Sequence, residues 1–148
     1  MVTERITASA WSAGSADRLW ALASDVERWP DRLDTVDSVR ELSSGPTQVG
    51  SRFEVRQPGL PRAVWEVTDW QARSFTWVSS ALGIRSTAVH SVREDHDGAS
   101  LDLSLEWTGP LTVVMSRLLG GRATGMVEHE AVTFARLAER ETPEGGLS

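Results

Sequence analysis

The chain has 148 residues, of which 40% are hydrophobic and 24% are charged, and its formal net charge is −6. This is the size and balance of a single globular domain. Because nucleic acids and anionic membranes require a basic surface on their main partners, we expect neither as a partner of this acidic chain.

Reactive side chains are few. The sequence has no cysteine, which excludes disulfides, thiolate nucleophiles and thiolate metal sites. All 15 basic residues are arginines, which excludes lysine Schiff-base chemistry. The first ten residues show no apolar signal core, and no apolar run has the length of a membrane span. We therefore expect a cytoplasmic protein.

The N-terminal part of the chain predicts one strand followed by two short helices. Residues 2–11 have an extended pattern, and Ser15 is then a suitable N-cap with Asp17 in the first helical turn. A second short helical segment is expected over residues 26–33, where Pro30 bends the chain. The apolar stripe of the first helix consists of Leu19, Trp20, Leu22 and Ala23.

From residue 35 to residue 107 the hydrophobic period changes to two, which is the period of half-buried strands. Turn signals such as Pro58-Gly59 and Asp97-Gly98 separate the alternating runs. Strands with one apolar face form an antiparallel sheet that needs a cover on that face only. The alternating inward residues are Phe53, Val55, Ala63, Trp65, Val67, Phe75, Trp77, Ala88, His90, Val92, Leu101, Leu103, Leu105 and Trp107.

The period becomes helical again after Gly109-Pro110. Two apolar stripes predict a long C-terminal helix, interrupted or kinked at Gly120, Gly121 and Gly125, where the kink could gate a cavity. Residues 142–148 are expected to form a flexible tail. The first stripe comprises Leu111, Val114, Met115, Leu118 and Leu119, and the second comprises Val127, Ala131, Phe134, Leu137 and Ala138, with Arg and Glu on the other face.

These elements predict a single α+β domain over residues 1–148. A curved antiparallel sheet of about seven strands is covered by the C-terminal helix, the only element long enough for that role. A strongly curved sheet wrapped on one helix leaves space between them unless large side chains fill it. That space is the candidate site.

Several short motifs, taken in their order and spacing, resemble one family over residues 3–141. They are Arg18-Leu19-Trp20-Ala21-Leu22, Asp25, Trp29-Pro30, Val49-Gly50-Ser51-Arg52-Phe53, Trp65-Glu66-Val67, Phe75-Thr76-Trp77, Asp97-Gly98-Ala99-Ser100-Leu101 and Glu106-Trp107-Thr108-Gly109-Pro110-Leu111. The chain is similar to the START-like (SRPBCC) superfamily, in particular its polyketide cyclase/dehydrase-like branch. The resemblance implies the helix-grip fold with a deep cavity. Relatives include lipid carriers, hormone binders, polyketide cyclases and chaperone activators, so the fold leaves the function open.

His90 is the candidate polar residue of the cavity and the best candidate for a catalytic one. Its position between Ala88 and Val92 on the inward face would let it orient a ligand or act as acid or base, with packing as the alternative. His96 is expected in a solvated turn, and His129 either at the cavity mouth or in solvent. No HxH or HxxxH spacing occurs, so we predict neither a metal nor another cofactor.

The carboxylates do not form a catalytic pair, and no GxSxG motif occurs. Asp25 is expected to end the first helix, while Asp102 and Glu106 alternate onto the solvent face of their strand. Asp69 shares the parity of the inward residues but lies near a strand end. The sequence therefore assigns no nucleophile and no general base.

The predicted ligand contacts combine inward positions of the sheet with apolar positions of the last helix. If the rings pack directly on that helix, only a small pocket remains between them. The predicted ligand-binding residues are Phe53, Trp65, Phe75, Trp77, His90, Leu103, Trp107, Met115, Leu119 and Met126.

Three functions fit this pattern. We expect a monomer or homodimer that binds a hydrophobic small molecule, such as a polyketide, an isoprenoid or a lipid. The alternative is an aromatase/cyclase-like or dehydratase-like enzyme of polyketide metabolism, which needs acid/base groups that the sequence offers sparingly. The third is a protein-interaction module, which a large exposed apolar patch would favour.

Overall fold

The computed structural model describes residues 3–81 and 83–140, and its elements follow the predicted order. The helices are α1 (Ala16–Ser24), α2 (Trp29–Arg32) and α3 (Thr112–Arg140), with a 3₁₀ turn at Val26–Arg28. The predicted α+β helix-grip architecture is confirmed, whereas the predicted tail lies outside the described residues. The strands are β1 (Thr3–Ser12), β2 (Ser38–Glu41), β3 (Arg52–Arg56), β4 (Ala63–Gln71), β5 (Ser74–Ala81), β6 (Ile84–Asp95) and β7 (Gly98–Thr108).

All seven strands form one antiparallel sheet in the order β1-β7-β6-β5-β4-β3-β2. Strands β2 to β7 are a meander, and β1 pairs along its whole length with β7, from Thr3 opposite Thr108 to Ser12 opposite Ala99. Helix α3 packs on β1 and β7, and the Ser12 hydroxyl donates to the Ala135 carbonyl oxygen at 2.7 Å. The last helix is therefore fixed to the sheet near its C-terminal end.

The inward residues of the sheet form the core together with one face of α1 and α3. Phe53, Phe75, Leu101 and Phe134 are completely buried. A separate small cluster surrounds the N-terminal half of α3, where Met115 and Leu119 are partly buried. The buried members of that second cluster are Ile6, Ile84, Trp107 and Ala123.

A β-bulge changes the inward face of β4. The bulge between Val67 and Asp69 shifts the register by one residue, so Asp69 pairs with Thr76 and Trp70 pairs with Phe75. Residues directly opposite each other share a face, and Trp70 stacks on the Phe75 ring at 5.4 Å. The predicted inward parity of Asp69 is therefore wrong, since one extra residue inverts every following side chain.

Helix α3 runs without interruption from Thr112 to Arg140. Gly120, Gly121 and Gly125 all lie inside it, so the predicted interruption is wrong. A glycine inside a helix costs only about 0.5–1 kcal/mol relative to alanine, and packing on the sheet outweighs that cost. A gating role for this segment stays a prediction.

The first apolar stripe of α3 divides between core and solvent. Leu118 is 75% exposed, and Leu111 and Val114 are also exposed, so this part of the stripe faces solvent. Thr112 and Leu119 each lie one residue further along, which is about 100° around the helix. Thr112 is completely buried, and Leu119 packs partly buried against the small cluster. Among the described helices, none has the length and apolarity needed to span a membrane.

Candidate functional site

A partly enclosed cavity of about 90 Å³ lies between the curved sheet and α3. One water needs roughly 10–15 Å³, so this space holds on the order of six to nine water-sized groups. Drug-sized sites measure roughly 300–1,000 Å³, and this cavity instead suits one substituted ring. It is lined by Trp29, Trp65, Trp77, Val55, Leu60, Ala88, Leu103, Leu105, Ala123, Met126, Val127, Gln57, His90, Ser104 and Glu130.

Three tryptophans form the aromatic wall of the cavity. The rings of Trp65 and Trp77 stack with centroids 5.4 Å apart, and Trp29 meets Trp77 edge-on at the same distance. The Trp29 indole N–H donates to the Ala23 carbonyl oxygen at 3.1 Å, and Pro30 lies in the first turn of α2 directly after Trp29. These contacts hold the rings in place without a ligand.

His90 lies on β6 inside this aromatic cluster. Its ring stacks in parallel on Phe75, with centroids 4.6 Å apart and planes 4° apart, and it is 5% exposed. Within the described part of the chain, its Nδ1 atom has no hydrogen-bond partner. Burial lowers the pKa of His90 to about 3, so the imidazole is neutral near pH 7.

Glu130 places a carboxyl group in the same cavity from α3. Its side chain is 8% exposed, and the Thr35 hydroxyl donates to Oε2 over a long 3.5 Å. Burial raises the pKa of Glu130 to about 7, and the Thr35 hydrogen bond lowers it by a smaller amount. The carboxyl therefore changes charge close to neutral pH.

One contact joins α3 to the loop after α2, and another joins that loop to the loop after β3. His129 Nε2 pairs with Asp34 Oδ1 at 2.9 Å, and the Gln57 amide donates to the Thr35 carbonyl oxygen at 3.2 Å. The His129 side chain is half exposed, so it stands at the surface beside the buried Glu130.

The cavity brings together half of the predicted ligand-binding residues, namely Trp65, Trp77, His90, Leu103 and Met126. The remaining five lie elsewhere in the core. Phe75 stacks on the His90 ring, and Phe53 packs against Trp77 with ring centroids 6.0 Å apart. Trp107, Met115 and Leu119 belong to the small cluster at the N-terminal half of α3.

The apolar stripe of α3 does not predict the position of Glu130, because it places the charged residues on the outer face of the helix. Its spacing from Ala123 and Val127, continued by Phe134, is the i, i+4, i+7, i+11 pattern of one helix face. That pattern was the available signal. Gln57 and Leu60 follow β3 in a loop, where no periodicity points inward.

The other candidate polar residues lie at the surface. His96 is in the exposed turn after β6, and Asp25 ends α1, where it pairs with Arg28 and Arg32. Asp102 accepts from Arg93 at 2.8 Å, and Glu106 accepts from the guanidinium of Arg5 at 3.0 Å. Within residues 3–81 and 83–140, no three His, Asp or Glu side chains converge as a metal site requires.

A curved seven-stranded sheet wrapped on a long helix, with an apolar cavity between them, defines a helix-grip protein with an internal site. The family model described as polyketide cyclase / dehydrase and lipid transport matches residues 3–139, and the chain belongs to this family. The resemblance seen in the sequence is thereby confirmed. No curated protein matches the sequence at a significant level.

Solved structures with the same fold are distant in sequence. Norcoclaurine synthase from Thalictrum flavum is 17% identical with a TM-score of 0.73, covering 95% of this chain and 88% of that one. The Zhui aromatase/cyclase from Streptomyces sp. R1128 is 14% identical with a TM-score of 0.73, covering 98% and 99%. A hypothetical protein from Helicobacter pylori is 9% identical with a TM-score of 0.75, covering 91% and 88%.

Proposed function

We propose that the protein binds a compact, mostly apolar molecule of about one substituted ring in the cavity between the sheet and α3. The observation that carries this proposal is an open, ring-lined space faced by two buried polar side chains, His90 and Glu130. Protein cores leave few voids, and an unsatisfied buried polar group costs about 1–3 kcal/mol. A ligand that occupies the space and hydrogen-bonds to these groups accounts for both features.

The size of the cavity narrows the expected ligand class. Because the cavity measures about 90 Å³, only a segment of about one ring of a polyketide, isoprenoid or lipid fits inside it. One relative supports a ligand of this size: norcoclaurine synthase from Thalictrum flavum has been solved in complex with dopamine and hydroxybenzaldehyde. Both of those molecules contain a single ring.

Tryptophan fluorescence tests this function, because three of the seven tryptophans line the cavity. Titration with benzyl alcohol as a one-ring probe should give a saturable signal. Ala123→Leu fills the cavity from α3 and should weaken binding at least about fivefold, a loss of about 1 kcal/mol. Val132→Leu, on the exposed side of the same helix, is the matched control. Equal binding by both variants, or no saturation in the wild type, would contradict the proposal.

A second candidate function is acid–base catalysis in the same cavity, as in a cyclase or dehydratase. The observation that favours it is that burial moves the pKa values of His90 and Glu130 in opposite directions, to about 3 and about 7. Glu130 would then remove a proton next to a carbonyl and return it to a departing hydroxyl, which leaves as water. His90 would orient the carbonyl as a neutral imidazole.

The pH profile of a dehydration assay on a one-ring β-hydroxyketone distinguishes catalysis from binding. A catalyst of this type should show a rate that depends on a group with a pKa near 7, and Glu130→Gln should abolish the rate while the substrate still binds. Glu128→Gln removes an exposed charge two residues away and should leave the rate unchanged. Binding without any turnover would leave the protein as a carrier.

A further inference from the structure

Among the described residues that line the cavity, Glu130 is the one acidic side chain, and no positively charged side chain lines the cavity with it. Glu130 contributes carboxyl oxygens, and His90 contributes a neutral imidazole ring. Gln57 also lines the cavity, but its amide already donates to the Thr35 carbonyl oxygen. None of the described residues that line the cavity is an arginine, and the chain has no lysine.

The Glu130 carboxylate therefore lacks a positive partner. No ion pair joins it to an arginine or histidine among the described residues, and Thr35 supplies its one hydrogen bond. Burying an ionised carboxylate without a partner is costly, because it loses its hydration and gains no attraction in return. A cation inside the cavity would remove that cost.

The aromatic wall is suited to the same charge. Trp29, Trp65 and Trp77 all line the cavity, and the Trp77 ring packs against each of the other two with centroids 5.4 Å apart. Tryptophan is the aromatic side chain that attracts cations most strongly, through the negative face of its ring. Several rings beside one carboxylate form a site in which an ammonium group is stabilised from more than one side.

We infer that the ligand of this cavity is a compact organic amine, bound in its protonated form, with its ammonium group on Glu130 and its apolar part against the three tryptophans. This inference rests on the proposed binding function and names the chemical class of its ligand. An ammonium group supplies up to three donors to the Glu130 oxygens, and a charged hydrogen bond is roughly twice as strong as a neutral one. A carboxylate ligand would instead be repelled, because it carries the same negative charge as Glu130.

Three probes of nearly equal size test the inference: benzylamine, benzyl alcohol and benzoate. Fluorescence titrations at about pH 8 keep Glu130, with its pKa of about 7, mainly ionised and benzylamine mainly protonated. We expect benzylamine to bind the wild type at least about tenfold more tightly than benzyl alcohol, and benzoate to bind most weakly.

Glu130→Gln should abolish the preference for benzylamine while its affinity for benzyl alcohol stays within about threefold of the wild type, which also shows that the variant is folded. Glu128→Gln removes the same charge from an exposed neighbour and should keep the preference. If the amine and the alcohol bind equally, or if the preference survives Glu130→Gln, the inference that the ligand is an amine is wrong. The proposed binding function would remain intact. If no probe binds, the binding function and the inference fall together.

Discussion

The two polar residues of the cavity are buried in different surroundings. His90 lies within rings, stacked on Phe75 at 4.6 Å and beside Trp29 at 5.2 Å, so desolvation alone keeps it neutral. Glu130 has one hydroxyl donor at 3.5 Å, which is too long to offset the loss of water around a carboxylate. Each residue therefore retains hydrogen-bonding capacity that the folded chain does not use.

Replacing His90 by phenylalanine separates its packing from its polarity. His90→Phe keeps a ring on Phe75 and removes the unpartnered Nδ1 atom, so we expect a free energy of unfolding at about pH 7 equal to the wild type or about 1–3 kcal/mol higher. His90→Ala loses the ring contacts and should be about 2–4 kcal/mol less stable. Urea unfolding measures both. A His90→Phe variant as unstable as His90→Ala would show that Nδ1 has a partner in the folded protein.

At the scale of single elements, the apolar periodicity predicts well which segments are strands and which are helices. It predicts less well which side chains face inward. The alternation in β3, β5 and β6 places Phe53, Phe75 and His90 correctly, because every residue there follows the pleat. In β4 one bulge places Trp70 inward. In α3 the apolar stripe is wider than the sheet contact, so Leu118 faces solvent. The differences at Trp70 and Leu118 both come from tertiary geometry, which hydrophobic periodicity does not encode.

Gly121 offers a test of why α3 contains glycines. A Cβ atom at this position would meet nothing within 4 Å, and the residue lies inside the continuous helix. Gly121→Ala should therefore stabilise the protein by about 0.5–1 kcal/mol, because it reduces the entropy of the unfolded chain. Thermal unfolding measures this gain.

Stopped-flow fluorescence with benzyl alcohol shows whether the same glycine serves ligand entry. If flexibility near Gly121 opens the cavity, Gly121→Ala should slow association and dissociation equally and leave the affinity unchanged. Unchanged rates in a stabilised variant would contradict the predicted gating role of this segment. Val132→Ala is the control, since it alters an exposed residue of the same helix.

At the scale of the whole molecule, the order of elements predicts the helix-grip architecture, because only α3 is long enough to cover the open face of the sheet. The dimensions of the cavity were not predictable in the same way. They depend on how closely Trp29, Trp65 and Trp77 stack on one another, and Trp29 enters from α2 rather than from the alternating strands. The inward rings of the strands indicate a small pocket only if they pack on α3, and their pattern does not include Trp29.

The pH dependence of global stability should carry two opposite contributions from the cavity. The pKa of Glu130 is raised from 4.5 to about 7, so its contribution is fully present below about pH 4.5 and is lost as the pH rises through 7. The pKa of His90 is lowered from 6.5 to about 3, so its contribution is present above about pH 6.5 and is lost as the pH falls towards 3. Between about pH 4.5 and 6.5 the two slopes offset each other.

Replacing Glu130 or His90 singly should separate their two contributions to the pH dependence of the free energy of unfolding. Relative to the wild type, Glu130→Gln should gain stability from about pH 4.5 to 7, by on the order of 3 kcal/mol, because its amide remains neutral throughout. His90→Phe should gain relative stability as the pH falls below about 6.5. The contact between Asp34 and His129 is present in all three proteins, so its contribution cancels from the differences. Urea unfolding between about pH 4 and 8 measures these differences, with Glu128→Gln as the exposed control. A flat difference for Glu130→Gln would show that Glu130 is solvated in the folded protein, with its pKa near the ordinary value.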